Sequence, residues 1–350
     1  MEYKNSIHHL ISLIDRPAFC VKDGTIQLVN NAAYNLGIVE NASIYDLLDN
    51  RQNDYTDFSG GALSCALCIS GSAVTATVNR IDGIDYFMIN EAQNPIFNSL
   101  ALASQQLRKP LANIMALMDS SYMQNAANSA DGATPVKQLN KSLMQLHRHI
   151  CNMSDASLYT ETTAPMSVVG IRGLFLQIMD KATTLLNNVD FKLTHAEPEQ
   201  EVYTLTCSFL LERAIYNLIS NAAKFAPKGS EIYAKLKKDG QQLRISVQSE
   251  TTMVNPQLNF DMYKRTPSLE DSRLGMGLGM VMVRKAATIH NGTVLIDNPT
   301  PTSIRITMSL QIRDEENPTF RSHAFQYVDY SGGVDHSLLE LSEILSTDCY

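Results

Sequence analysis

Two features of this chain combine residue types and spacing that could do chemistry. The first is the run 209–225, FLLERAIYNLISNAAKF, which carries Asn217, Asn221 and Lys224. Residues three and four apart share one face of a helix, so two carboxamides and an ammonium group point the same way. Amide oxygens suit a hard cation such as Mg2+, and the positive charge suits a phosphate. The second feature is Gly275-Met276-Gly277-Leu278-Gly279, at the start of a predicted helix that ends near His290. Glycines let a backbone approach a ligand closely, and a helix N-terminus offers free N–H groups to an anion. An asparagine pair is usually a solvated face, and a lone Gly-x-Gly-x-Gly is often only a turn. In this order and separated by strands, the two carry more weight together.

The elements that must position them alternate through residues 163–310. Strands are expected at 166–169, 191–194, 203–206, 231–236, 243–248, 293–296 and 304–309, with helices at 171–186, 208–225 and 278–290. Ahead of them, 96–162 reads as an antiparallel helical hairpin. Its first arm carries Leu100, Leu107, Leu111, Ile114 and Met118, and its second Leu139, Leu143, Leu146, Ile150 and Met153. Such spacing lays one apolar seam along each helix. Two helices cannot enclose these seams, so two chains are expected to pair into a four-helix bundle. Residues 120–134 form the loop. Residues 1–92 read as a small α+β unit: an opening helix, β runs about Asp23-Gly24, short helices at 31–36 and 43–48, then strands at 62–69, 73–80 and 86–90. Residues 311–350 form a tail with one short amphipathic helix, marked by Leu338, Leu339, Leu341, Ile344 and Leu345.

The segment PAFCVKDGTIQLVNNAAYNLGI resembles the opening hairpin and first helix of a PAS sensor domain. The asparagine helix and the glycine run closely resemble the N box and glycine box of sensor histidine kinases, whose ATPase domain is shared with gyrase-type topoisomerases and heat-shock chaperones. With the hairpin, this resemblance covers about 97 to 310. It implies an α/β multidomain chain with a PAS-like domain at 1–92, a dimerisation hairpin at 96–162 and an α/β-sandwich ATPase domain at 163–310. It also implies ATP and Mg2+ held by Asn217, Asn221, Lys224, Gly275, Gly277, Leu278 and Gly279, with Asn221 as the metal ligand.

Two positions depart from the pattern. Histidine kinases carry Ser-His-Glu-Leu-Arg-x-Pro-Leu on the first hairpin helix, whereas this chain reads Ser104-Gln105-Gln106-Leu107-Arg108-Lys109-Pro110-Leu111. Gln105 therefore stands at the phosphoacceptor position. Its amide nitrogen delocalises its lone pair into the carbonyl and is not a useful nucleophile. Gln106 cannot replace a carboxylate as proton acceptor. The family's Asp-x-Gly-x-Gly, whose carboxylate accepts from the adenine amino group, becomes Ser249-Glu250-Thr251-Thr252-Met253. Losing that charge-assisted bond costs on the order of 1.5–3 kcal/mol, a roughly 10- to 150-fold loss of affinity. Glu250 is a poor substitute, because neighbouring residues on a strand face opposite sides. ATP and Mg2+ binding is expected to be weakened or lost. His147 and His149 are expected to be exposed surface residues.

The sequence has 350 residues, 44% of them hydrophobic, with a formal net charge of −8. Length suggests two or three domains. The acidic balance argues against nucleic acid as a partner. No apolar run reaches the roughly 18 residues of a membrane span, and the start lacks a secretory pattern, so no membrane insertion and a cytoplasmic location are expected. Six cysteines are ordinary usage, and Cys65-Ala66-Leu67-Cys68 has no second pair to complete a zinc site. The expected function is that of a degenerate histidine kinase, a pseudokinase signalling by binding. Its expected partners are a second copy of itself or another histidine kinase, and a response regulator. The competing expectation is an enzyme that hydrolyses ATP or phosphorylates a partner's histidine in a mixed dimer.

Overall fold

Three tight turns organise the N-terminal unit. Asp23-Gly24, Ser70-Gly71 and Asp82-Gly83 have positive φ at both residues, the geometry of two-residue hairpins whose twist matches their strands. They join β1 (Ala18–Lys22) to β2 (Thr25–Val29), β3 (Ala62–Ile69) to β4 (Ser72–Ile81), and β4 to β5 (Ile84–Ile89). Between β2 and β3 lie α1 (Asn31–Asn35), α2 (Tyr45–Leu48) and α3 (Gln52–Thr56). The Asn30 side chain accepts from the Ala33 N–H at 2.9 Å and the Ala18 N–H at 3.0 Å, capping α1 and tying it to β1. Phe19 and Phe87 stack at 4.7 Å in the core. Sequence pattern gave no sign of α3, whose residues QNDYT lack apolar periodicity. Cys65 is buried and Cys68 exposed, so the two thiols leave β3 on opposite faces.

The computed structural model describes residues 11, 14, 16–48, 52–89, 114, 133–158, 164–251, 278–313 and 334–350. The phosphoacceptor motif with Gln105, most of the first hairpin arm, Gly275 and Gly277 lie outside the described residues.

The C-terminal unit comprises β6 (Ser167–Gly170), α5 (Ile171–Asn187), β7 (Lys192–Ala196), β8 (Tyr203–Thr206), α6 (Ser208–Phe225), β9 (Glu231–Asp239), β10 (Gln242–Glu250), α7 (Leu278–Ile289), β11 (Val294–Asp297) and β12 (Ser303–Gln311). In β9 and β10, buried residues alternate with accessible ones, as a sheet covered on one face requires. Ile232, Ala234, Leu236, Leu243, Ile245 and Val247 share a core with Phe175, Leu211, Ile215, Ile219, Val283 and Ala287 from the three helices. Fully burying each larger aliphatic or aromatic side chain contributes about 1.5–3 kcal/mol.

The two units share one sheet. Its order is β2-β1-β5-β4-β3-β11-β12-β10-β9-β7, antiparallel except for the parallel pair β7 and β9. The junction is β3 against β11, with Ser64, Leu63 and Ala62 opposite Val294, Leu295 and Ile296. Gly61, at φ +88°, lies where a Cβ would sit 2.1 Å from the Ile296 carbonyl oxygen, so both its backbone and its surroundings demand glycine. Polar contacts reinforce the join: Asp54 accepts from Thr293 at 2.7 Å and Ser309 at 3.0 Å, and Arg244 reaches Asp57 at 2.8 Å.

The segment expected to form the second hairpin arm is helical, as α4 (Ala133–Leu158). Its buried face is polar, holding Ser142, Arg148, His149 and Asn152. Leu143 and Ile150 of the apolar seam are 44% and 50% exposed. The tail contributes α8 (His336–Glu340) and a 3-10 turn at Thr347–Cys349. The helix is shorter than sequence suggests, but Leu339, Leu341 and Leu345 are fully buried. No helix among the described residues is long and apolar enough to cross a membrane.

Candidate nucleotide site

Helix α6 carries all three expected N-box residues, and its N-terminus is anchored by a neutral histidine. His290, just past α7, donates from Nδ1 to the Ala286 carbonyl at 2.6 Å. Its Nε2 accepts from the Cys207 N–H at 3.0 Å and from Thr206 Oγ1 at 2.6 Å. Burial pushes its pKa down to about 4, so it stays uncharged at neutral pH and locks α7 to the start of α6.

Asn217 is buried, and its Nδ2 donates to the Arg213 carbonyl one turn back at 2.8 Å. Gly279, in the first turn of α7, backs directly onto it: a Cβ there would lie 2.8 Å from Asn217 Oδ1. The structure thus brings one residue of each motif together, and a glycine is what permits it. Leu278 opens α7. Asn221 lies one turn beyond Asn217 and is half-buried, and Lys224 follows, mostly buried.

The groups bonded to these residues come from α4 and the tail. Asn217 Oδ1 accepts from Arg148 Nη2 of α4 at 3.0 Å. Lys224 is ion-paired with Glu343 of the tail. Arg148 also faces Glu343 at 3.4 Å and Glu340 at 3.3 Å. Arg213 donates to Glu340 at 2.8 Å and to Asn152 Oδ1 of α4. Glu212, the residue before Arg213, bonds His336 at 3.0 Å. Sequence reasoning missed Arg148, Asn152, Glu212, Arg213, His336, Glu340 and Glu343. A signal existed: Lys137, Lys141, Gln145, Arg148 and Asn152 recur at spacings of four, four, three and four, beside the apolar seam. All five meet the tail or α6 through polar bonds in that order. Lys137 pairs with Asp348, Lys141 donates to the Leu345 carbonyl, Gln145 donates to the Ser342 carbonyl, Arg148 donates to Glu340, and Asn152 accepts from Arg213.

His149 corrects the expectation of a surface histidine. It is buried, and burial first, then the charges of Arg148 and Lys224, push its pKa down to about 4. The packing of α4 against the C-terminal unit hides the face that an isolated hairpin would expose.

Ser249 faces the core with Val247 and Ile245, opposite Ile304 and Ile232 on its two neighbours. Its buried Oγ has no hydrogen-bonding partner among the described residues. Glu250 is exposed, on the other face of the strand, so its carboxylate cannot take the place of an aspartate at 249.

A magnesium-bound nucleotide does not fit Asn217 and Lys224 in this arrangement. A guanidinium already occupies the Asn217 oxygen, and a second cation there would face like charge. The Lys224 ammonium is neutralised by a carboxylate of the same chain.

Residues 206–313 match the family described as histidine kinase-, DNA gyrase B- and HSP90-like ATPase. That match implies a fold that binds ATP, usually with Mg2+. The chain is 23% identical over 251 residues to the sensor-like histidine kinase SenX3 of Mycobacterium tuberculosis, covering 68% of this chain and 59% of that protein. It is 20% identical over 298 residues to the sensor histidine kinase WalK of Bacillus subtilis, covering 80% of this chain and 48% of the relative. The chain therefore spans about half to three fifths of the length of these two curated relatives. Among solved structures, the histidine kinase AdeS of Acinetobacter baumannii aligns with a TM-score of 0.46 and 14% identity, over 59% of this chain and 98% of that one.

Proposed function

Since this chain belongs to the sensor histidine kinase family, we propose that it is a two-component signalling protein that works by binding rather than by phosphoryl transfer. The observation that carries this reading is Gln105 in the frame Ser104, Leu107, Arg108, Pro110 and Leu111. A carboxamide there cannot accept a phosphoryl group. Ser249 in place of the adenine-binding aspartate supports weakened or lost ATP and Mg2+ binding, as does the engagement of Asn217 and Lys224 by other side chains. The nucleotide-binding residues remain Asn217, Asn221, Lys224, Gly275, Gly277, Leu278 and Gly279 in this reading, with Asn221 as metal ligand.

In the same reading, residues 1–92 are a PAS-like sensor domain, 96–162 a dimerisation hairpin, 163–310 the ATPase-type domain and 311–350 a tail with a short amphipathic helix. The exposed Leu143 and Ile150 support pairing through the hairpin, in a homodimer or with another histidine kinase. A response regulator is the partner that the family suggests. Six free thiols fit a reducing, cytoplasmic setting.

Incubation of the full chain with labelled ATP and Mg2+ tests the proposal. No acid-labile label is expected on the chain, and its appearance would overturn the reading. A second reading, ATP hydrolysis or phosphorylation of a partner's histidine in a mixed dimer, draws on the preserved contact of Gly279 with Asn217. Label transfer to an active histidine kinase mixed with this chain, abolished by Asn221→Ala, would favour it.

A further inference from the structure

The tail places two of its acids, Glu340 and Glu343, three residues apart among Arg148, Arg213 and Lys224. Lys224 is the residue that the N box would offer to a phosphate. Arg148, held between both acids, is also the group that donates to the Asn217 carboxamide oxygen. The tail therefore acts on this site twice, neutralising its lysine directly and fixing the guanidinium that occupies its asparagine. It is also held along its length. Lys181 on α5 pairs with Asp335 at 3.1 Å, His336 bonds Glu212 on α6, and Lys141 and Gln145 on α4 take the Leu345 and Ser342 carbonyls at 2.6 and 3.2 Å. Leu341 and Leu345 belong to the core of the C-terminal unit.

The geometry points to an autoinhibitory latch: residues 334–350 are an internal occupant of the nucleotide site, their carboxylates standing where phosphate charge would bind, and they clamp α4 to the C-terminal unit while they remain. The inference rests on the reading of Asn217, Asn221 and Lys224 as nucleotide ligands. It follows from charge and volume together. The guanidinium puts a positive charge on the Asn217 oxygen, one turn from Asn221, which disfavours a cation beside it, and a polyphosphate cannot reach an ammonium that a carboxylate covers. A tethered occupant also competes at millimolar effective concentration without any partner in solution. If the open form is one molecule in a hundred, nucleotide affinity falls a hundredfold.

The test uses the full chain and its Glu343→Gln variant, chosen because Glu343 keeps some solvent access. Two quantities are read: affinity for Mg-ATP by calorimetry, and hydrogen exchange of the amides of residues 338–350. We expect Glu343→Gln to bind Mg-ATP on the order of tenfold tighter, the equivalent of about 1.4 kcal/mol. Tail exchange should rise in the variant and rise further with Mg-ATP. Equal affinities in the two proteins, with tail exchange raised in the variant, would overturn the latch and leave the nucleotide reading standing. Tail amides that stay protected at saturating Mg-ATP would do the same, because tail and nucleotide would then coexist. No Mg-ATP binding by a variant whose tail exchange shows it released would overturn the nucleotide reading itself, and the competition with it.

Discussion

Glu340→Gln removes one charge and almost no volume from the most enclosed ionic cluster among the described residues. The Glu340 and Arg213 side chains are 0% exposed and Arg148 is 4% exposed. One carboxylate oxygen is 2.8 Å from Arg213 Nε and the other 3.3 Å from Arg148 Nε. A hydrogen bond to a charged group contributes about 1.5–3 kcal/mol, and stripping one partner from a buried pair costs about 3–5 kcal/mol because the other charge stays behind. Here two guanidinium groups lose one acceptor, but Arg148 keeps Glu343 at 3.4 Å. The expected loss is therefore about 3–4 kcal/mol rather than twice that. Arg213→Gln leaves Glu340 with Arg148 and should cost about 2 kcal/mol. If the pair acts as a unit, the double variant loses less than the two singles together, by about 1.5–3 kcal/mol. Urea unfolding of all four proteins, followed by circular dichroism, measures this cycle. Losses that add to within about 0.5 kcal/mol would refute the claim that Glu340 and Arg213 hold the tail as one cluster.

Two further expectations concern the junction and the buried histidines. Gly61→Val places a Cβ where the Ile296 carbonyl sits and forces a branched residue to positive φ. It should cost more than about 2 kcal/mol and split a single calorimetric unfolding transition into two, with one unchanged transition arguing against a structural role for the junction. His149 and His290 each have folded pKa values of about 4 against about 6.5 unfolded. Burial is the main cause for both, assisted by Arg148 and Lys224 at His149 and by Arg313 at His290. The unfolded chain binds protons that the folded one refuses, so stability is lost as pH falls from about 6.5 to about 4, by on the order of 3 kcal/mol for each. A His149→Gln variant should show a shallower acid limb in urea titrations between those pH values, and an identical limb would contradict the assignment.

Much of the fold is legible because its signals are local. The Asp-Gly turns at 23–24 and 82–83, the alternation in β9 and β10, and the apolar face of α6 need only a few neighbouring residues to be read. Asn217 and Gly279 are legible as motifs, although only packing shows that they touch. What escapes is pairing at long separation. Arg148 and Glu340 are 192 residues apart and Arg213 and Glu340 are 127 apart, and a charged residue on a helix face looks locally like any solvated one. His149 escapes for the same reason, since its burial depends on the elements packed against α4 and not on its neighbours in sequence. The β3 and β11 pairing is three residues deep and joins strands more than 200 residues apart in the sequence.

The shared sheet has a mechanical consequence. Adjacent strands twist relative to one another by about 20–25°, so ten strands form one continuous helicoid and not two plates on a hinge. β1 and β5, whose core includes the stacked Phe19 and Phe87, are thereby joined by unbroken strand pairing to β10, the strand bearing Ser249. The join also conceals two strand edges that would otherwise present open backbone donors and acceptors to other chains. Separating the halves would therefore exchange one continuous sheet for two adhesive surfaces.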